Sequence, residues 1–143
     1  VGEGVVCNEF AVVRSGLFRH FLRADSGEEK NYSITFPGQI IASYSSLILG
    51  IEAQENIEAI TDAELLVLPF DFLEAHLQHN INWLTFSKAV IKSEYVKLEK
   101  RIFSLLNEPP KQRYLELLNH KPHYIQQIPL KYLASFIGIS VRH

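Results

Sequence analysis

The sequence predicts a chain of the α+β class, with an N-terminal sandwich, roll or barrel of short strands followed by helices. Short apolar segments separated by turn residues recur about every 8–12 residues up to Pro69, which is typical of such β architectures. After Pro69 the hydrophobic period changes from that of strands to that of helices. From residue 80 to residue 106 neither Pro nor Gly occurs, which predicts one long helix.

The composition allows a folded core and excludes several classes of protein. The 143 residues are 47% hydrophobic and 21% charged, as in ordinary globular domains, so a disordered chain is excluded. No apolar run approaches the roughly 20 residues that span a bilayer, so we expect no membrane partner. Because Cys7 is the single cysteine, an internal disulfide and a cysteine-based metal site are excluded. A reducing compartment, and hence a cytoplasmic location, is expected.

Turn signals divide the first part of the sequence into strands. Gly16, Gly27 and Gly38 each follow a Ser or Pro, which is typical of a turn. Between the last two of these turns, apolar and polar residues alternate over residues 32–36, as in a half-buried strand. The predicted strands cover residues 11–13, 17–23, 32–36, 56–60 and 65–68, and residues 40–54 are predicted to form a loop with a short helix.

Two helices are predicted between Pro69 and Pro109, and two shorter ones after Pro110, with Leu117 in the first and Leu133 in the second. Asp71 is expected to cap a short helix that carries Phe72, Leu73 and Leu77. Asn80 is expected to cap the long helix. The pair of prolines at positions 109 and 110 is expected to end that helix and to mark a boundary.

The long helix carries a heptad pattern that predicts a dimer. Apolar residues recur every seven positions, and a second set interleaves with them, although Lys88 weakens the pattern. A helix this long outreaches a small β domain, so we expect it to pair with a second copy of itself. The alternative is a core helix that packs only within its own chain. The predicted dimer seam comprises Leu84, Ile91, Tyr95, Leu98, Ile102 and Leu105; a second apolar set, Phe86, Val90 and Phe103, is expected to pack on its own domain.

The charge balance changes along the chain. Residues 1–106 hold nine Lys and Arg against fourteen Asp and Glu, whereas residues 107–143 hold five against two. A basic helical segment after an acidic β domain points to nucleic acid as a partner.

Residues 134–140 have the spacing of a helix-turn-helix unit. Ala134 is small enough for a second helix to cross the first, and Gly138 tolerates the positive φ of the tight turn. Ser140 is expected to cap a recognition helix whose first turn carries Arg142 and His143. The alternative is a helix that simply ends at a glycine. The candidate DNA contacts are Lys131, Ser140, Arg142 and His143.

The order of these parts resembles the Crp/Fnr family of bacterial transcription regulators. The resemblance lies in residues 112–118, Gln-Arg-Tyr-Leu-Glu-Leu-Leu, and in residues 128–140, which include Ala134 and Gly138. It implies a cyclic-nucleotide-binding-like β-roll (a double-stranded β-helix or jelly roll) as a sensor in residues 1–80. It further implies a dimerisation helix in residues 81–106 and a partial winged helix-turn-helix domain in residues 107–143. A homodimer that binds double-stranded, palindromic DNA is expected.

The sequence departs from the pattern of the nucleotide-binding members of that family. In those members a Gly-Glu pair and a later Arg-Ser or Arg-Thr pair hold the cyclic phosphate; here Gly38-Gln39 and Ala53-Gln54 stand at those positions. No arginine occurs from residue 25 to residue 98. A buried cyclic phosphate would lack a bidentate cation worth about 1.5–3 kcal/mol, so cyclic AMP is not the expected effector. The candidate contacts for an unidentified small-molecule effector are Gly38, Gln39, Ile40, Gln54 and Tyr95.

We expect the sequence to be incomplete. It begins at Val1 and contains no methionine, and the resemblance implies a further turn between Glu9 and Phe10. Residues are therefore expected before Val1, between Glu9 and Phe10, and after His143, where most of the recognition helix and the wing would lie.

No enzyme activity, metal site or cofactor is predicted. His76 and His79 lack a third ligand at a fixed spacing, and no carboxylate pair or phosphate loop points to catalysis. The leading hypothesis is a homodimeric DNA-binding transcription regulator with a β-roll sensor. The alternative is a small-molecule module, for example for a cyclic nucleotide, that acts through protein contacts.

Overall fold

The computed structural model describes residues 1–140 and contains two three-stranded antiparallel sheets, followed by helices. One sheet has the order β4-β1-β6 and the other the order β3-β2-β5. The α+β class is confirmed. The strands are β1 (Glu9–Ser15), β2 (Phe18–Arg23), β3 (Glu29–Thr35), β4 (Ile40–Ile41), β5 (Asn56–Ala59) and β6 (Glu64–Pro69).

The predicted turns are confirmed, because Gly16, Gly27 and Gly38 all have positive φ. Gly16 has φ +87°, and a Cβ there would lie 2.5 Å from the backbone oxygen of Asp62. Only glycine fits this close approach between the β1–β2 turn and the chain before β6.

Glu9 and Phe10 both belong to β1 and pair in unbroken register with Pro69 and Leu68 of β6; the further residues expected between them stay a prediction. One strand prediction needs correction. The loop predicted over residues 40–54 contains the two-residue strand β4 as well as a short helix. A strand so short gives no periodic signal, and its pairing with β1 defines it.

The helices follow the predicted capping pattern with one exception. Asn80 accepts hydrogen bonds from the backbone N–H groups of Asn82 and Trp83, which confirms it as the cap of the long helix. Asp71 does not cap the short helix, which begins at Phe70 after an extended Pro69. The helices are α1 (Tyr44–Leu49), α2 (Phe70–Leu77), α3 (Ile81–Asn107), α4 (Pro110–His120) and α5 (Leu130–Ile137), with a 3₁₀ turn at Ile125–Gln127.

One hydrophobic cluster joins the β domain to the C-terminal helices. Ile34 of β3 and Phe36, which directly follows that strand, pack with side chains that include Leu133 and Ile137 of α5. The docking also uses hydrogen bonds, since the Asn31 N–H donates to the Ser135 hydroxyl at 2.8 Å. The C-terminal helices therefore share a core with the β domain.

The second apolar set of the long helix is less buried than expected. Phe86 is 42% exposed and Phe103 is 54% exposed, although Phe86 contacts the rings of Phe10 and Trp83. Trp83 in the first turn of α3 is buried against the β domain, whereas Phe103 near the end of the helix stays exposed. None of the helices within residues 1–140 has an apolar stretch long enough to form a bilayer-spanning segment.

Candidate functional site: a cavity between the β domain and the long helix

A cavity of about 560 Å³ lies between the β domain and α3. Strand β3 and helix α1 provide one wall, and the middle of α3 provides the opposite wall. Lys121 and Phe136, from the C-terminal segment, complete the lining. The cavity is thus bounded by all three parts of the chain.

The side of the cavity formed by strands β2 and β3 carries a hydrogen-bonded polar group. The Nε2 atom of His20 lies 2.8 Å from the Thr35 hydroxyl, and its Nδ1 atom lies 3.4 Å from the Glu55 carboxylate. The Tyr32 hydroxyl donates to the same carboxylate. The His20 and Glu55 side chains are only 7% and 13% exposed. His20 and Tyr32 therefore replace water as hydrogen-bonding partners of the buried Glu55 carboxylate.

The wall formed by α3 places charged groups next to apolar ones. Lys97 donates to Glu94 at 2.6 Å, so these two charges are paired. Arg101 donates from Nε to the Tyr32 carbonyl at 2.9 Å and from Nη2 to the Phe136 carbonyl. Burial, together with the nearby positive charge of Arg113, lowers the pKa of Arg101 to about 10. Arg101 therefore bridges β3 and α5 as a partly desolvated cation.

Tyr44 of α1 also lines the cavity. Its hydroxyl lies 3.4 Å from the Ile40 carbonyl. Burial, and secondarily the charge of Glu94, raises the pKa of Tyr44 above its ordinary value. Tyr44 is therefore a neutral hydrogen-bonding group at any physiological pH.

Residues 1–80 match the sequence profile of the cyclic nucleotide-binding domain, and this match covers more than half of the 143 residues. The chain belongs to the cyclic nucleotide-binding domain family. No curated protein shows significant sequence similarity to the chain.

Solved structures of Crp/Fnr regulators share the fold. FixK2 from Bradyrhizobium japonicum has a TM-score of 0.82 at 16% identity, with 99% of this chain and 73% of that chain covered. A CRP/FNR-family transcriptional regulator from Thermus thermophilus has a TM-score of 0.70 at 19% identity, with 99% and 73% covered. The catabolite activator protein of the same organism has a TM-score of 0.57 at 23% identity, with 98% and 67% covered. The chain spans about two thirds to three quarters of the length of these proteins, and the likeness establishes the fold.

The cavity brings together three of the five candidate effector residues. Gln39, Ile40 and Tyr95 line the cavity, whereas Gly38 and Gln54 do not. The Gln39 side-chain oxygen accepts the Phe36 N–H at 2.9 Å, which closes the turn after β3. The Gln39 side-chain oxygen therefore stabilises this turn, while the residue also lines the cavity.

Ala53 stands at the position expected for the phosphate-binding arginine, and it is buried. Ala53 is 2% exposed, and its N–H and carbonyl pair with Val5 and Gly4. The neighbouring Glu55 faces the cavity instead and brings a negative charge.

Sequence analysis missed two important cavity residues, Arg101 and Glu55. Arg101 follows Leu98 by three residues on α3, so it lies on the same helix face as a seam residue. That spacing could have identified Arg101 as a cavity residue from the sequence. Glu55 adjoins the predicted Gln54, and only the strand register decides which of the two faces inward.

The predicted seam residues of α3 remain exposed in the single chain. Their exposed fractions run from 43% at Leu105 to 65% at Tyr95. Ile91, Tyr95 and Leu98 also line the cavity, so the two features meet on one stretch of helix.

The C-terminal candidates are only partly described. Gly138 has φ +89°, and the N–H of Ile139 donates to the Ala134 carbonyl, so α5 ends in a left-handed glycine cap. Lys131 and Ser140 are exposed. Arg142 and His143 lie outside the described residues, as does the helix that Ser140 is expected to cap.

Arg113 holds the segment before α5 in place. Its side chain is buried and donates to the carbonyls of Ile137, Ser104 and Glu108. This residue ties α3, α4 and the end of α5 together, so its role is structural.

Within residues 1–140, no group of three or more His, Cys, Asp or Glu side chains is arranged to hold a metal ion. His76 contacts the Phe72 carbonyl of its own helix at 2.8 Å. Cys7 is buried, and its Sγ lies 3.1 Å from the Glu9 carbonyl.

Proposed function

We propose that the chain is a homodimeric, DNA-binding transcription regulator whose β-roll senses a small molecule other than cyclic AMP. The observation that carries this proposal is the placement of the cavity, which touches the exposed seam of α3 on one side and α5 on another. A ligand in the cavity would contact the dimer helix and the first helix of the helix-turn-helix unit together.

The proposed roles of the three parts of the chain follow the predicted boundaries. Residues 1–80 form the sensor, residues 81–106 the dimerisation helix, and residues 107–143 part of the DNA-binding unit. The family match to residues 1–80 supports the first boundary. Because β3 and α5 share a core, a change in the packing of the sensor would act directly on the DNA-binding unit.

The mechanism we propose is a shift between two populations of the dimer. A ligand that binds better to one packing of α3 against the cavity, near residues 91–98, favours that packing. Because α5 is tied to β3 and to Arg101, the change repositions the two helix-turn-helix units relative to DNA half-sites about one helical turn apart.

The exclusion of cyclic AMP rests on charge and hydrogen bonding. Ala53 offers no cation, and Glu55 would lie near any phosphate placed on the β3 side of the cavity. A phosphate held beside Ala53, where the nucleotide-binding members carry an arginine, lacks a guanidinium partner at that position and loses about 1.5–3 kcal/mol of charge-assisted hydrogen bonding there. Calorimetry is expected to show no micromolar binding of cyclic AMP or cyclic GMP.

Binding to DNA is tested by an electrophoretic mobility shift of the complete protein on its own upstream region. We expect retention that falls steeply with added salt. Lys131→Gln and Arg142→Gln are expected to weaken binding, and Ser140→Ala and His143→Gln to weaken it less. The matched control is Lys92→Gln, an exposed lysine on α3. A complete protein that leaves DNA unshifted at low salt overturns the proposal.

A second function has one observation in its favour, which is the size of the cavity. A family member with a cavity of about 560 Å³ could bind a cyclic nucleotide and act through protein contacts alone. Micromolar affinity for cyclic AMP or cyclic GMP, together with no DNA binding, would favour this alternative.

A further inference from the structure

The cavity contains two cations that lack a carboxylate partner within residues 1–140. Arg101 donates only to backbone carbonyls and stacks on the Phe136 ring at 4.1 Å. The Lys121 ammonium lies 5.0 Å from the centre of the Phe36 ring. Neither forms a salt bridge with a described side chain. Both line the same cavity.

The remaining charges leave a small positive excess. Glu94 and Lys97 neutralise each other through their 2.6 Å contact. Glu55 is then the one carboxylate in the lining against Arg101 and Lys121. Its own partners are Tyr32 and His20, which turn it toward β2 and β3. The balance of about one positive charge suits a monoanionic ligand.

The rest of the lining is apolar and aromatic. Ile48 of α1, Ile91 and Leu98 of α3, and Phe136 of α5 face the cavity. A fully hydrated ion would gain little from such walls, whereas a ligand with an apolar body would bury that body against them.

We propose that this cavity binds a small organic carboxylate with an apolar body, and that Arg101 and Lys121 hold its carboxylate. The inference rests on the sensor role proposed above and adds the chemical class of the effector. A guanidinium fork and one ammonium group together match the two oxygens of a carboxylate. The partial desolvation that lowers the pKa of Arg101 makes an anion a better partner for it than water.

The test compares acids with their uncharged amides of nearly equal shape. Benzoate, 3-phenylpropanoate and octanoate are each paired with benzamide, 3-phenylpropanamide and octanamide, and binding is measured by calorimetry and thermal shift. We expect at least one acid to bind about tenfold or more tightly than its amide, as expected for one lost charge-assisted contact. Equal affinities within every pair, or no binding by any acid, overturn the proposal.

Two variants assign the carboxylate to the proposed cations. Lys121→Gln is expected to reduce the preference for the acid over the amide about threefold to tenfold, with the amide affinity unchanged. Arg101→Gln is expected to abolish the preference for the acid. Because Arg101 also bridges β3 and α5, this variant could lose its fold, so Arg101→Lys is measured beside it. Arg101→Lys is expected to stay folded and to retain part of the preference. Lys111→Gln and Lys100→Gln are matched controls outside the cavity. A preference unchanged in Lys121→Gln and in the Arg101 variants overturns the assignment.

The outcomes separate this inference from the proposed function. Acids that bind with the expected charge preference to a protein that does not bind DNA leave the ligand class standing and reject the regulator. DNA binding with no preference for acids rejects the ligand class and leaves the proposed regulator standing.

Discussion

Gly16 and Gly27 share a left-handed backbone but have different surroundings. A Cβ at Gly16 would overlap Ala63 and the Asp62 carbonyl, whereas nothing lies within 4 Å of a Cβ at Gly27. Gly27→Ala is therefore expected to cost only backbone strain, about 1 kcal/mol. Gly16→Ala adds steric overlap and is expected to cost roughly 3 kcal/mol or more. Urea denaturation measures both, and equal losses would contradict the contacts described for Gly16.

The Arg19–Glu29 ion pair predicts a dependence of stability on pH. Arg19 is buried between the rings of Phe21 and Tyr132 and donates to Glu29 at 2.7 Å. The hydrogen bond from Arg19 is the main cause that holds the pKa of Glu29 below its ordinary value of 4.5. A lowered folded-state pKa contributes stability above pH 4.5, and that stability is lost as the pH falls through the folded-state pKa.

Glu29→Gln is therefore expected to lower the free energy of unfolding at pH 7, and the difference from the wild type is expected to shrink as the pH falls to about 3. Urea denaturation across this range measures it. Glu28→Gln is the matched control, because the Glu28 side chain is 65% exposed and lies 3.8 Å from Lys30. A Glu29→Gln difference that stays constant with pH would contradict the ion pair.

The long helix predicts a measurable association. Ile102 is 46% exposed on the seam, and Val96 is 44% exposed on another face of α3. Ile102→Glu places two carboxylates in the proposed dimer interface and is expected to weaken the dimer at least about 30-fold, roughly 2 kcal/mol. Val96→Glu adds the same carboxylate off the seam and is expected to leave the dimer intact. Sedimentation equilibrium distinguishes the two, and a wild-type monomer at micromolar concentration would reject the seam.

Elements set by local chemistry could be predicted from the sequence, and contacts between distant segments could not. The turn at Gly16, the cap at Asn80 and the end of α3 before Pro109 each depend on neighbouring residues, and each was predicted. Strand β4 exists only because β1 pairs with it. The inward position of Arg101 depends on β3 and α5, which are far from it in the chain. The sequence therefore pointed to three residues that line the cavity, Gln39, Ile40 and Tyr95, but not to its charged residues.

The shared core of the β domain and the C-terminal helices predicts one cooperative unfolding transition. Leu133 of α5 is buried, whereas Leu130 on the same helix is 67% exposed. Leu133→Ala is expected to cost about 3 kcal/mol and Leu130→Ala less than about 1 kcal/mol. Fluorescence of Trp83, the single tryptophan, and far-UV circular dichroism are expected to shift together in Leu133→Ala. A Trp83 transition that stays at its wild-type midpoint would show that the β domain unfolds independently.

The hydrogen bond between Asn31 and Ser135 joins residues 104 positions apart. On the ribosome, strand β3 must therefore emerge long before the helix that covers it. Until residues 130–137 leave the exit tunnel, Ile34 and Phe36 face water or a chaperone. The nascent β domain is thus expected to finish folding late in translation, when that covering helix docks.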